Sequence, residues 1–215
     1  MGLDLGGCLI IVVLFVVVGA IVVRQADQAD KERMAKLEAW AQSREWTIAT
    51  RPKVDWGRQF TLENYEPGKY TTVRFAIHGF LQGRHVAAAE CSYDPPRQGN
   101  SRRTTYVVLL VVQLDRPIRT VEVKHRYHPV RPGERTLLDV PEFDAQFHVY
   151  APDARAAKEV VGPRLIAAQL AGEIPHWSVF GTELFTYTFG KIDDPVGFNA
   201  RFDGILRVAE LLETD

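Results

Sequence analysis

One apolar run, Leu5 to Val23 (LGGCLIIVVLFVVVGAIVV), constrains this chain more than any other feature: it holds no charge, no proline, no Asn and no Gln. About 19 residues at 1.5 Å rise cover roughly 28 Å, close to the hydrocarbon thickness of a bilayer, and a helix satisfies its own backbone there. The run therefore reads as a transmembrane helix, 5–23. No Lys or Arg precedes it, so the positively charged start of a secretory signal is missing and the span is expected to be retained. Leu5-Gly6-Gly7-Cys8 spells a lipoprotein box, but that box must follow an apolar segment and here it begins one. Cys8 reads as a small residue within the helix.

Orientation follows from the flanks. Arg24, Lys31, Arg33 and Lys36 lie just beyond the C-terminal end of the run, and the positive-inside rule counts such residues. The expected localisation is the cell membrane, single-pass, with the C-terminal domain cytoplasmic.

Residues 24–45 lack Pro and Gly and are rich in Ala, Gln, Lys, Glu and Arg, so the helix should continue into water as a juxtamembrane segment. Met34, Leu37, Trp40 and Ala41 recur at helical spacing. Two heptads of pattern are too few for a coiled coil, so the last turns are expected to dock on the chain's own domain.

That domain occupies 46–215. Its length permits one hydrophobic core, and 46% hydrophobic with 25% charged residues describes a folded chain. A net charge of −1 argues against nucleic acid as a partner. Trp46 to Ala49 is β-prone, Arg51 to Phe60 loop-like, and Glu66 to Lys69 a turn. Thr72 to Phe80 and Arg84 to Tyr93 flank Leu81-Gln82-Gly83 as a hairpin. After a loop at Asp94 to Arg103, Thr104 to Leu114 is apolar on both parities, the mark of a buried central strand. Arg119 to Arg126 alternates Val121 and Val123 with Glu122 and Lys124, as in a strand with one wet face. His128 to Gly133 reads as a turn, and Phe143 to Tyr150 as a polar turn and a short strand. Ala154 to Val161 and Arg164 to Leu170 are helices separated by Gly162-Pro163. Trp177 to Phe180 and Leu184 to Phe189 read as a second hairpin around Gly181-Thr182. Pro195 to Leu212 closes the chain as an amphipathic helix whose terminal acids, Glu210, Glu213 and Asp215, oppose its dipole and should let that end fray. The fold class is α+β: an N-terminal transmembrane helix, then one domain with a mainly antiparallel sheet and a C-terminal amphipathic helix.

Chemistry-bearing residues do not assemble into a recognisable site. His125 and His128 form H-x-x-H without a third ligand. His78, His85, His148 and His176 lie in or beside strands, where a lone His is usually a satisfied polar residue. Cys91 and His85 share a strand face but stand about 20 Å apart. No nucleophile elbow, phosphate loop, dinucleotide fingerprint or zincin motif occurs. Asp193-Asp194 before Pro195 suits helix capping. The sequence thus assigns no catalytic, cofactor-binding or metal-binding residue and implies no cofactor. Basic residues at Arg97, Arg102, Arg103, Arg116, Arg119, Lys124, Arg126, Arg131 and Arg135 outnumber the acids around them and could touch anionic lipid. The function expected is a non-enzymatic, membrane-tethered binding or scaffold module for a protein partner or the cell-envelope machinery; a membrane-anchored enzyme is the alternative. Oligomeric state is not legible.

The run Glu142-Phe143-Asp144-Ala145-Gln146-Phe147-His148-Val149-Tyr150, with Asp153, Ala157 and Pro163-Arg164-Leu165 after it, resembles a block in uncharacterised, single-span membrane-anchored bacterial proteins of actinobacterial type. Leu37-Glu38-Ala39-Trp40-Ala41 and Arg44-Glu45-Trp46 resemble that group's tethering helix, where relatives carry Gly at the position of Glu45. The resemblance implies a domain of unknown function and brings no catalytic residue. The block's own residues read as packing, Phe143 and Phe147 into the core and Asp153 as a helix cap.

Overall fold

The computed structural model describes residues 5–52, 71–93, 105–127, 135–193, 195 and 197–214, with the backbone alone for 5–20, 71 and 93. The expected loop at 94–103, the turns at 66–69 and 128–133, and most of 51–60 lie outside the described residues.

Helix α1, Leu5–Gln42, is one continuous element of 38 residues, about 57 Å long at 1.5 Å per residue. Among the residues whose side chains are described, no helix is long and apolar enough to cross a membrane; the side chains of most of the Leu5 to Val23 run lie outside that set. Ile21, Val22 and Val23 are exposed.

α1 ends three residues earlier than its composition suggests. The Trp46 N–H donates to the Ala41 carbonyl at 2.9 Å and the Glu45 N–H to Gln42 at 3.2 Å, the paired bonds of a Schellman stop. Glu45 takes the left-handed position of that motif at φ +60°, where glycine is free of the Cβ penalty. Trp46 folds back edge-on to Trp40, 5.4 Å between ring centroids, and lies over Gly79, where a Cβ would come within 2.1 Å of its ring. The expected docking is observed: Leu37 and Ala41 are fully buried in the main core. The C-terminal turns of α1 are therefore packed into the domain.

The sheet has six antiparallel strands: β1 Thr47–Thr50, β2 Thr71–Leu81, β3 Arg84–Tyr93, β4 Thr105–His125, β5 Phe147–Tyr150 and β6 Trp177–Phe189. The order runs β1-β2-β3-β4-β5, and β6 lies along the other edge of β4. The helices are α2 Pro141–Gln146, α3 Ala154–Val160, α4 Pro163–Leu170 and α5 Asp203–Thr214, the last preceded by a 3₁₀ turn, Asn199–Phe202. This is an α+β fold with an antiparallel sheet.

Two expected breaks in the sheet are absent. Residues 104–114 and 119–126, read as separate strands, are one strand, β4, and the second hairpin around Gly181 is the unbroken strand β6. The two bulge at the same place: register passes from Gln113 opposite Glu183 to Ile118 opposite Gly181. Pro117 and Gly181 (φ +62°) are residues that a bulge accommodates and a regular ladder does not. In the sequence they imitate turns.

β4 is covered on both faces. Even-numbered Val108, Leu110 and Val112 join the main cluster with α1 and α5, while Val107, Leu109 and Val111 join a second cluster with Ala87, Ala89 and Tyr187. The wet face assigned to Glu122 and Lys124 is also covered. Their side chains are 7% and 3% exposed and pair with each other at 2.5 Å; charges taken out of water need a partner, and each supplies the other's.

The 147–150 strand is preceded by a helix, α2, rather than a polar turn. Asp144 holds its entry by accepting from the Leu138 and Val140 N–H groups at 3.1 Å each. Asp153 caps α3 through the Ala156 N–H at 2.7 Å, and Phe143 and Phe147 are buried. The closing helix begins at Asp203 rather than Pro195, and its end is tied. Glu213 accepts from Arg84 and, at 2.7 Å, from the Asp115 N–H, while Arg116 donates to the Leu212 carbonyl at 3.2 Å. These contacts oppose the fraying that the dipole favours.

Candidate functional site: a charged cleft at the base of the first helix

The residues that come together lie where α1 leaves its apolar run and meets the sheet. On α1, Ala26, Ala29, Asp30 and Arg33 fall on one face at helical spacing. On β3, Glu90 shares the parity of Val86 and Ala88 and so points at the core; it is 0% exposed. On β2 the register shifts between Val73 and Phe75, which makes Arg74 the extra residue of a bulge.

Four side chains then close into one network. Arg33 donates Nη1 to Glu90 at 2.6 Å and Nη2 to Asp30 at 2.8 Å. Arg74 donates Nη1 to Glu90 and Nη2 to Asp30, both at 2.8 Å. Glu90 also accepts the Ile192 N–H at 2.9 Å, and Arg33 donates to the Ile192 carbonyl at 3.1 Å. Two cations face two carboxylates, so the network is neutral and satisfied. Burial alone would push the Asp30 carboxyl up, but hydrogen bonds from Arg74 and Arg33 outweigh it and hold its pKa below the usual value. Both guanidiniums are raised despite burial, Arg33 by Glu90 first and Arg74 by Asp30 first.

Beside this network is an open cleft of about 460 Å³ whose lining includes Asp27, Asp30, Arg33, Arg74, Tyr106, Lys191 and Asp193. Lys191 Nζ lies 4.2 Å from the Tyr106 ring centroid, and the Arg74 guanidinium 5.4 Å from the same ring, distances at which a ring face attracts a cation.

The residues weighed in the sequence are dispersed. His125 stacks on Tyr127 and meets the edge of Phe147; His128 lies outside the described residues. His78 and His85 stand 6.0 Å apart, and burial, then His85, lowers the His78 pKa. Cys91 is buried, and burial, reinforced by Glu90, pushes its thiol up to about 12. Asp193 caps no described helix; the 3₁₀ turn begins after Phe198 without a side-chain cap, and Asp193 lines the cleft instead. Among the described residues no group of three His, Cys, Asp or Glu is placed to hold a metal.

Of the basic residues weighed for lipid contact, the five that are described each have a partner within the fold. Arg116 holds Leu212, Arg119 pairs with Glu159 at 3.4 Å, Lys124 with Glu122, Arg126 donates to the Ala145 carbonyl, and Arg135 to that of Asp144. Arg97, Arg102, Arg103 and Arg131 lie outside the described residues. The Glu122–Lys124 pair has Ser178 beside it, its hydroxyl donating to Glu122 at 3.3 Å, but both charges are sealed from solvent.

Sequence reasoning missed Arg33, Arg74, Glu90, Tyr106 and Lys191. One signal was there: a carboxylate at Glu90, on the core-facing parity of an Ala-rich strand, requires a buried partner.

Neither a family model nor a curated relative matches the chain. Among solved structures it is similar to the crystal structure of the mycobacterial trehalose monomycolate transport factor A, TtfA, with 13% identity and a TM-score of 0.49 over 82% of this chain and 89% of that one.

Proposed function

We propose that this chain is a single-span membrane protein in which Leu5 to Val23 crosses the bilayer and holds a cytoplasmic α+β domain that acts as a non-enzymatic binding or scaffold module. The observation that carries this reading is the continuity of α1 with the domain, sealed by the Asp30, Arg33, Glu90 and Arg74 network. A flexible tether lets a domain sample the volume around its anchor; a helix fixed by four charged side chains presents the same surface to the membrane at all times. Buried charge here is spent on geometry. Membership in the actinobacterial-type anchored group is part of the proposal and rests on the block around Phe143 and Phe147.

Arg24, Lys31, Arg33 and Lys36 set the orientation. With alkaline phosphatase fused to the C-terminus of the full chain, the domain inside predicts low activity in cells that express the fusion. High activity, which needs export, would overturn the cytoplasmic assignment.

A further inference from the structure

The cleft at the base of α1 stands at a definite height. Ala26 is three residues beyond Val23, about 4.5 Å along the helix, and Arg33 is ten residues beyond, about 15 Å. The headgroup layer on each side of a bilayer is about 5 to 7 Å thick. If Val23 ends the span, the mouth of the cleft opens within that layer and its floor reaches past it. The neighbouring sheet edge faces the same way. β2 runs from Gly79 under Trp46 to Arg74 beside Asp30, so the far ends of β6 and β4 lie toward the membrane. There Phe189 pairs with Val107 and is exposed, and the Gly190 N–H donates to the Tyr106 carbonyl at 2.9 Å. An exposed aromatic next to a lysine is the side-chain chemistry of a membrane interface.

Charge decides which headgroup fits. Arg33 and Arg74 are balanced by Asp30 and Glu90. What remains is Lys191, which forms no salt bridge among the described residues and lies on the Tyr106 ring, and the exposed carboxylates Asp27 and Asp193. Arg74 also keeps donors beyond the two it gives to Asp30 and Glu90. A purely anionic headgroup would meet one spare cation and two carboxylates. A headgroup with a phosphate and a primary ammonium matches both signs.

We propose that the cleft binds such a zwitterionic phospholipid headgroup, its phosphate on Lys191 and the free edge of Arg74 and its ammonium on Asp27 and Asp193. This rests on the reading of Leu5 to Val23 as a membrane span. The site would fix one lipid against the helix base and make the domain sensitive to the headgroup composition of its own leaflet.

The test uses the full chain in nanodiscs of phosphatidylcholine mixed with phosphatidylethanolamine or with phosphatidylglycerol, and reads by native mass spectrometry the lipid retained on detergent release. Phosphatidylethanolamine is expected to be retained preferentially. Lys191→Gln should weaken retention about tenfold, the loss of one charge-assisted contact. Lys191→Arg should preserve it, and Arg207→Gln on the far helix α5 should leave it unchanged. Preference for phosphatidylglycerol, no preference, or indifference to Lys191→Gln would each overturn the proposal. Carbonate extraction of the same chain from cell membranes separates the two levels. Release into the supernatant removes the span and the headgroup site with it, whereas a chain that stays in the membrane without lipid preference removes the site alone.

Discussion

Replacing Glu90 by alanine is expected to destabilise the domain by about 3 to 5 kcal/mol, the usual cost of removing one partner from a buried charge pair. The side chain is fully buried and accepts from Arg33, Arg74 and the buried Ile192 N–H. Its loss leaves Arg33, 10% exposed, with Asp30 and one carbonyl, and strands the amide. Glu210→Ala is the control: it breaks an exposed pair with Arg207 and should cost no more than about 1 kcal/mol. Urea melts of the full chain in detergent decide between them, and comparable midpoints would refute the account of the network. A pH series adds a sign. The Asp30 pKa is held below its unfolded value, so its contribution is present above about pH 4 and is lost as pH falls through the lower folded pKa. The Glu90→Ala variant keeps Arg33 and Arg74 on Asp30 and removes a neighbouring negative charge, so it should show at least as much of that acid loss.

The second large effect is at the centre of the sheet. Leu110 is 2% exposed, on the face of β4 shared with α1 and α5, and opposite Ala88 and Thr186 in the ladder. Leu110→Asp places a carboxylate inside the main apolar cluster, so it must be protonated or the strand must open. The expected loss is again on the order of 3 to 5 kcal/mol. Asp115, 85% exposed at the β4 bulge, is a site where exchange to Ser should cost about 0.5 kcal/mol or less. Equal melting midpoints for these two variants would mean that the central strand is misassigned.

These two residues also mark what the sequence could and could not disclose. The burial of Leu110 is local information: apolar residues on both parities need cover on both faces. The same holds for the stop between α3 and α4, since Gly162 and Pro163 act through their own backbones, and for the Asp153 cap three residues from the amide it accepts. Glu90 was visible only as an anomaly. Its partner Arg33 is 57 positions away on a helix whose composition speaks of solvent, and pairing across that distance is set by packing. Glu122 and Lys124 misled for the same reason, because alternation reports polarity and cannot tell water from an ion pair. Pro117 and Gly181 misled differently. Each is a turn residue by conformational preference, and only the alignment of two long strands turns both into one bulge.

The proposed function requires α1 to pass from the membrane into the domain as one rigid element. Hydrogen exchange on the full chain in lipid nanodiscs tests it most directly. The account predicts slow exchange across Leu5 to Val23, where lipid excludes water, and across Arg24 to Gln42, where the protection should match that of the core strand β4 and fall in the Glu90→Ala variant. Rapid exchange of 24–42 in the unaltered chain, at the rate of an unstructured linker, would contradict it.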